Sequence, residues 1–128
     1  MHLGLGFFTP ESPRAGVPRH LWFILSDPER GDRVVIANVS TKPCTSGEVC
    51  VVERAEHDRV SATSYLRFDQ VRVRDRTQID QLLDSGTLQG TTDAPAALLA
   101  KLQRAVLGSK AVPKEAQDLL RAQGLPAE

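Results

Sequence analysis

The sequence is poor in sulfur and carries no net charge, and each shortage excludes something. It has two cysteines, Cys44 and Cys50, no CxxC pair, and only three histidines. That inventory argues against a structural zinc site and against a disulfide-stapled scaffold. Cys50 lies in the strand-like run 48–53 (EVCVVE), where a thiol reads as a small buried hydrophobe. A disulfide to Cys44 and a redox role are the minor alternatives, given a reducing compartment. Lys plus Arg number 16 and Asp plus Glu number 16, with a pI near 6.8. This balance excludes a polybasic, histone-like binder and leaves room for a local basic groove. No apolar run approaches the roughly 20 residues that span a bilayer. The opening MHLGLGFF lacks the basic n-region and long h-region of a signal peptide. The expected compartment is the cytoplasm, with no membrane partner. No glycine-rich phosphate loop, HExxH, GxSxG, EF-hand pattern or internal repeat is present, and no metal or cofactor is expected.

What remains is an ordinary globular composition. The chain has 128 residues, 41% hydrophobic and 25% charged, enough for one domain with its own core. Residues 1–18, punctuated by glycine and proline, read as an irregular N-terminal arm. Within the arm, Leu3 to Phe8 is a candidate edge strand or docking segment. Residues 19–128 read as the domain. Strands are expected over 20–26, 33–40, 48–53, 64–68 and 70–74; the second is almost continuously apolar and so central. Val71 and Val73 alternate with Arg72 and Arg74, which project together. After residue 75 the period turns helical. A short turn of helix spans 77–83, a longer helix begins after a cap at Thr92 or Asp93, and a last one spans 113–121. The strand connections are too short for parallel crossovers. The expected class is mainly β with C-terminal helices, built on an antiparallel sheet or small barrel.

Two stretches resemble a known family. Residues 16–26 (GVPRHLWFILS) followed by 34–41 (VVIANVST) form the first; residues 64–79 (SYLRFDQVRVRDRTQI) with Gly86 to Leu88 form the second. Their order and spacing, across residues 16–108, are similar to the MazF/PemK bacterial toxins, in a divergent PemK-like branch. The resemblance implies an SH3-like barrel, a homodimer, a cognate antitoxin partner and an endoribonuclease that cleaves RNA without a metal. The cut would proceed by 2′-OH attack and leave a 2′,3′-cyclic phosphate. It further implies that the family's catalytic arginine maps onto Arg19, or that His20 takes its place, and that the catalytic Ser/Thr maps onto Ser40, beside Thr41. The sequence departs from the family in two places: the family's arginine precedes a proline, whereas here Pro18 precedes Arg19, and Asn38 stands where the family has proline.

The residues themselves fit that chemistry. Cleavage by an internal 2′-OH needs a base, an acid and cations for the phosphate. His20, at a strand mouth, offers an imidazole, the side-chain type suited to acid or base work; its plain alternative is a half-buried residue holding a loop. His57 supplies a second imidazole, against the plain reading of a solvated charged loop (AEHDR). Arg19 and Ser40 would contact phosphate, or serve only as a surface charge and a turn hydroxyl. Tyr65 is a candidate for base stacking, and Arg72 and Arg74 for a backbone-binding stripe. The rival to a nuclease is an inactive nucleic-acid- or protein-binding module on the same fold, including an accessory factor.

Overall fold

The computed structural model describes residues 1–9 and 20–127. Its strands are β1 (Gly6–Phe8), β2 (Leu21–Ile24), β3 (Arg33–Ser40), β4 (Val51–Val52), β5 (Ser64–Leu66), β6 (Arg72–Asp75) and β7 (Gln89–Thr91). The helices are α1 (Arg76–Asp84), α2 (Ala96–Gly108) and α3 (Lys114–Ala122). The seven strands form one sheet in the order β4-β5-β3-β2-β1-β7, with β6 also on β3. Every ladder is antiparallel, and for the sequential pairs β2–β3 and β4–β5 the short connections leave no room for a parallel crossover. The class is therefore mainly β with C-terminal helices. The sheet stays open between β4 and β7 rather than closing into a hydrogen-bonded barrel.

Strand β3 is the hub. Its valines and isoleucine favour extended backbone, and its positions 34–39 are all buried. Val35, Ala37 and Val39 face the main core with Leu98, Leu102 and Val106 of α2 and Ala116 and Leu120 of α3. Val34 and Ile36, on the opposite face, pack with Ile79 of α1, Ile24, Leu88 and Phe7. Period-2 alternation thus serves two cores, which is why the strand reads as continuously apolar. Beyond Ile24 the β2–β3 ladder gives out. The Leu25 amide still donates to the Val35 carbonyl at 2.9 Å. The return bond is missing: the Val35 N–H turns to Ser26 Oγ at 2.8 Å, and the Leu25 carbonyl accepts from Gln103 Nε2 of α2 at 2.8 Å. Ser26 and Gln103, both buried, finish the ladder with side chains and so tie α2 to the sheet.

The N-terminal segment departs from the irregular arm expected for residues 1–18. Residues 6–8 are an inner strand, with Gly6 opposite Phe23 on one side and Thr91 on the other. Phe7 is buried and stacks on Trp22 at 6.3 Å. Gly6 is required there, because a Cβ would meet the Thr92 carbonyl oxygen at 2.4 Å. Residues 10–18 of the expected arm lie outside the described residues. Helix α2 also starts differently from expectation: Pro95 occupies the N-cap position, while Asp93 binds His2 and Thr92 Oγ1 donates to Asp58. Helix α1 starts one residue before the expected span of 77–83, with Asp75 at its N-cap accepting from the Thr77 amide at 2.9 Å.

Candidate active site

The register places the site. Leu21 pairs with Val39, so the next residues outward, His20 and Ser40, face each other across β2 and β3. Ser40 pairs in turn with Tyr65 of β5. Opposed residues in such ladders lie about 5 Å apart at Cα. His20, just before β2, therefore lies at the same end of the sheet as the paired Ser40 and Tyr65. Trp22 and the fully buried Asn38 form the next row inward on that face. Asn38 Nδ2 donates to Gln70 Oε1, tying β3 to the turn at 68–70.

A cleft of about 190 Å³ opens at this end. Phe8, Leu21, Val39 and Val60 give it an apolar floor. His20, Ser40, Thr41, Arg59, Ser61 and Ser64 give it a polar rim. The volume is below the roughly 300–1,000 Å³ of drug-sized pockets. It suits a small polar group on a larger ligand better than a whole small molecule. Ser40 Oγ accepts from the Lys42 amide at 3.2 Å, which orients the hydroxyl and leaves its proton to be donated. Ser64 Oγ is committed to the Ala62 carbonyl at 3.0 Å.

The structure thus brings together His20, Ser40 and Thr41, with Tyr65 beside them outside the cleft lining. Arg19 lies outside the described residues. His57 does not join them. Its side chain is wholly buried, where a solvated loop was the plain expectation. The Arg59 amide donates to Nδ1 at 3.1 Å, so Nε2 carries the hydrogen and donates to the Thr92 carbonyl at 2.8 Å. Its ring edge meets Phe23 with centroids 5.1 Å apart. Both nitrogens are spent, so the imidazole has none to offer a substrate. Arg72 and Arg74 do share the sheet face of Ser40, but they pair with Ile36 and Val34. At about 3.3 Å per residue that sets them roughly 13 and 20 Å along the strand from Ser40. Arg72 Nη1 is held by the carbonyls of Asp69 and Val71 at 2.9 Å each. Between cleft and stripe, Arg67 forks onto Asp69 with both contacts at 3.3 Å. Hydrogen bonding from Arg67 holds the Asp69 carboxyl below the usual carboxylate range, against a smaller opposing effect of burial.

Sequence reasoning passed over Arg59, treating it as part of a charged loop. Its signal is visible only once the fold carries that loop to the mouth of β3. Among the described residues, no group of three or more His, Cys, Asp or Glu side chains is arranged to hold a metal. No described helix is long and apolar enough to cross a membrane.

The fold has a known counterpart. The chain is similar to a chain of the MazE-MazF complex (Form-III) from Deinococcus radiodurans, with a TM-score of 0.53 and 17% identity. The match covers 83% of this chain and 92% of that one. At that identity the likeness establishes a shared fold. No protein-family profile and no curated protein matches the sequence.

Proposed function

We propose that this chain is an endoribonuclease acting as the toxin of a toxin–antitoxin pair. The observation that carries the reading is the meeting of His20, Ser40 and Thr41 at one cleft, on a fold shared with a chain of a MazE-MazF complex. The substrate is RNA, taken as an extended strand, because the cleft holds no more than a small group of it. The 2′-oxygen attacks phosphorus, the P–O5′ bond breaks, and the product carries a 2′,3′-cyclic phosphate. A base removes the 2′-OH proton and an acid protonates O5′; His20 takes one of these roles. Ser40, with Thr41 beside it, donates to a non-bridging phosphate oxygen, and Arg19 adds charge from the adjoining segment. Tyr65, Arg72 and Arg74 extend the contact along the sheet face. The toxin works as a cytoplasmic homodimer, needs no metal, and is held in check by a cognate antitoxin that covers the cleft.

One observation favours the rival reading of a non-catalytic binding module. With His57 withdrawn into structure, His20 is the single imidazole of the described cleft. Both readings meet in one experiment. Purified protein is incubated with a long mixed-sequence RNA in EDTA and new ends are mapped, with Arg19→Ala, His20→Ala and Ser40→Ala alongside. Discrete cuts ending in cyclic phosphate, lost in His20→Ala, support the nuclease. Intact RNA in the presence of measurable RNA affinity supports the binding module.

A further inference from the structure

We infer that Arg59 is the phosphate-gripping cation of the cleft, and that the buried His57 is the residue that positions it; this rests on the ribonucleic-acid reading above. Arg59 is the one Arg or Lys side chain on the described cleft rim, beside His20, Ser40 and Thr41. It lies in a loop of which Ala55, Asp58 and Arg59 are exposed, and such loops ordinarily wander. This one is anchored at three points. His57 fills the interior beneath it, bonded to the Thr92 carbonyl at 2.8 Å. The Arg59 amide is fastened to the same ring at 3.1 Å. Asp58 Oδ2 accepts from Thr92 Oγ1 at 2.9 Å. The loop is therefore fastened to the end of β7, and β7 is fastened to β1 and the sheet.

The guanidinium is aimed as well as anchored. Arg59 Nε donates to Thr91 Oγ1 at 3.1 Å. Among the described residues, nothing accepts from its two terminal nitrogens, and no carboxylate pairs with it. A planar fork held by Nε, with its outer donors open at a cleft rimmed by hydroxyls, matches the oxygens of a phosphodiester. Nearer the cleft than Arg74, Arg67 is engaged with Asp69, and Arg72 Nη1 is held by two carbonyls. The spent nitrogens of His57 gain a purpose on this account, since they fix the backbone from which the cation extends.

The test uses Arg59→Gln, Arg59→Lys and Thr91→Val in the full chain. Two readouts are needed: single-turnover cleavage in EDTA, and anisotropy binding of a 2′-O-methyl oligonucleotide across a salt series. Arg59→Gln is expected to keep the wild-type melting temperature, because its side chain is exposed. It should lose about 10- to 100-fold in kcat/KM. Its binding should show a salt slope shallower by about 0.7, the signature of one phosphate contact on a single strand. Arg59→Lys should recover part of the loss. Thr91→Val, which removes only the Nε acceptor, should lose a few-fold with unchanged stability. Wild-type cleavage and salt slope in Arg59→Gln overturn the assignment and leave the nuclease reading standing. A wild-type protein that binds without cutting, with the slope lost in Arg59→Gln, upholds the phosphate site while the nuclease reading falls. A wild-type protein that neither cuts nor binds overturns both.

Discussion

Gln103 offers the sharpest test of how the helices are held to the sheet. It lies on α2 with 2% of its surface exposed, and its amide finishes the interrupted β2–β3 ladder at the Leu25 carbonyl. Gln103→Leu keeps the side chain's approximate volume and removes the donor. A buried carbonyl left without a donor costs about 1–3 kcal/mol. The extra apolar burial of leucine returns about 1 kcal/mol. A net loss of about 1 kcal/mol is expected, lowering the melting temperature by about 4 °C. Gln103→Glu is predicted to be worse at neutral pH, by about 3 kcal/mol or more, because a buried carboxylate would face a carbonyl oxygen. Burial raises that carboxyl's pKa above its unfolded value near 4.3, so relative to wild type the deficit shrinks as pH falls toward 4, where the protonated acid donates instead. The assay is urea unfolding at pH 7 and pH 4, followed by Trp22 fluorescence and far-UV circular dichroism. A Gln103→Leu protein as stable as wild type, or a Gln103→Glu deficit independent of pH, would refute the ladder-finishing role.

Three further outcomes are expected of the same structure. Gly6→Ala should destabilise by about 1–3 kcal/mol in thermal unfolding, because its Cβ would press on the Thr92 carbonyl at 2.4 Å. Gly108→Ala, with nothing within 4 Å of the new Cβ at the end of α2, should be neutral or stabilise by about 0.5 kcal/mol in the same assay. The third concerns pH. The Glu56 carboxyl is held below its ordinary range, first by the Glu53 amide at 2.9 Å and further by Lys101, against opposing burial. A depressed folded pKa contributes stability above the unfolded value near 4.3 and loses it as pH falls through the folded value. Glu56→Gln should therefore lower stability at pH 6 by about 0.5 kcal/mol, the pair being partly exposed, and flatten the acid limb of a stability–pH curve.

Some elements are plain in the sequence and others are hidden for physical reasons. Strand β3 is legible to the residue because its eight positions are dense in branched side chains. Helix α3 is nearly so, bounded by Pro113 and Gly124. Strand β7 is hidden: it has three residues, one of them a glycine, and its ladder is with β1; strand β1 is expected only as an edge strand, and its inner place between β2 and β7 is what the sequence conceals. Local propensity carries no trace of that pairing. His20 and Ser40 are named together only through the family resemblance; it is the β2–β3 register, which the sequence does not show, that sets both at one end of the sheet. His57 misleads because it sits in a mostly charged stretch, with Asp58 and Arg59 exposed beside it, while its own ring turns inward. Arg59 escapes notice for the complementary reason, since an arginine in a charged loop signals nothing until the loop's anchorage is known.

The central claim is that the cleft at His20 and Ser40 cuts RNA through the 2′-OH. The most direct measurement is single-turnover cleavage, in EDTA, of an RNA carrying a mapped cut site and of the same RNA with one 2′-deoxy nucleotide at that site. The account predicts cleavage of the first to a cyclic phosphate end, no cleavage of the second, and loss of both cut and product in His20→Ala. Cleavage of the deoxy-substituted strand, or wild-type activity in His20→Ala, would contradict it.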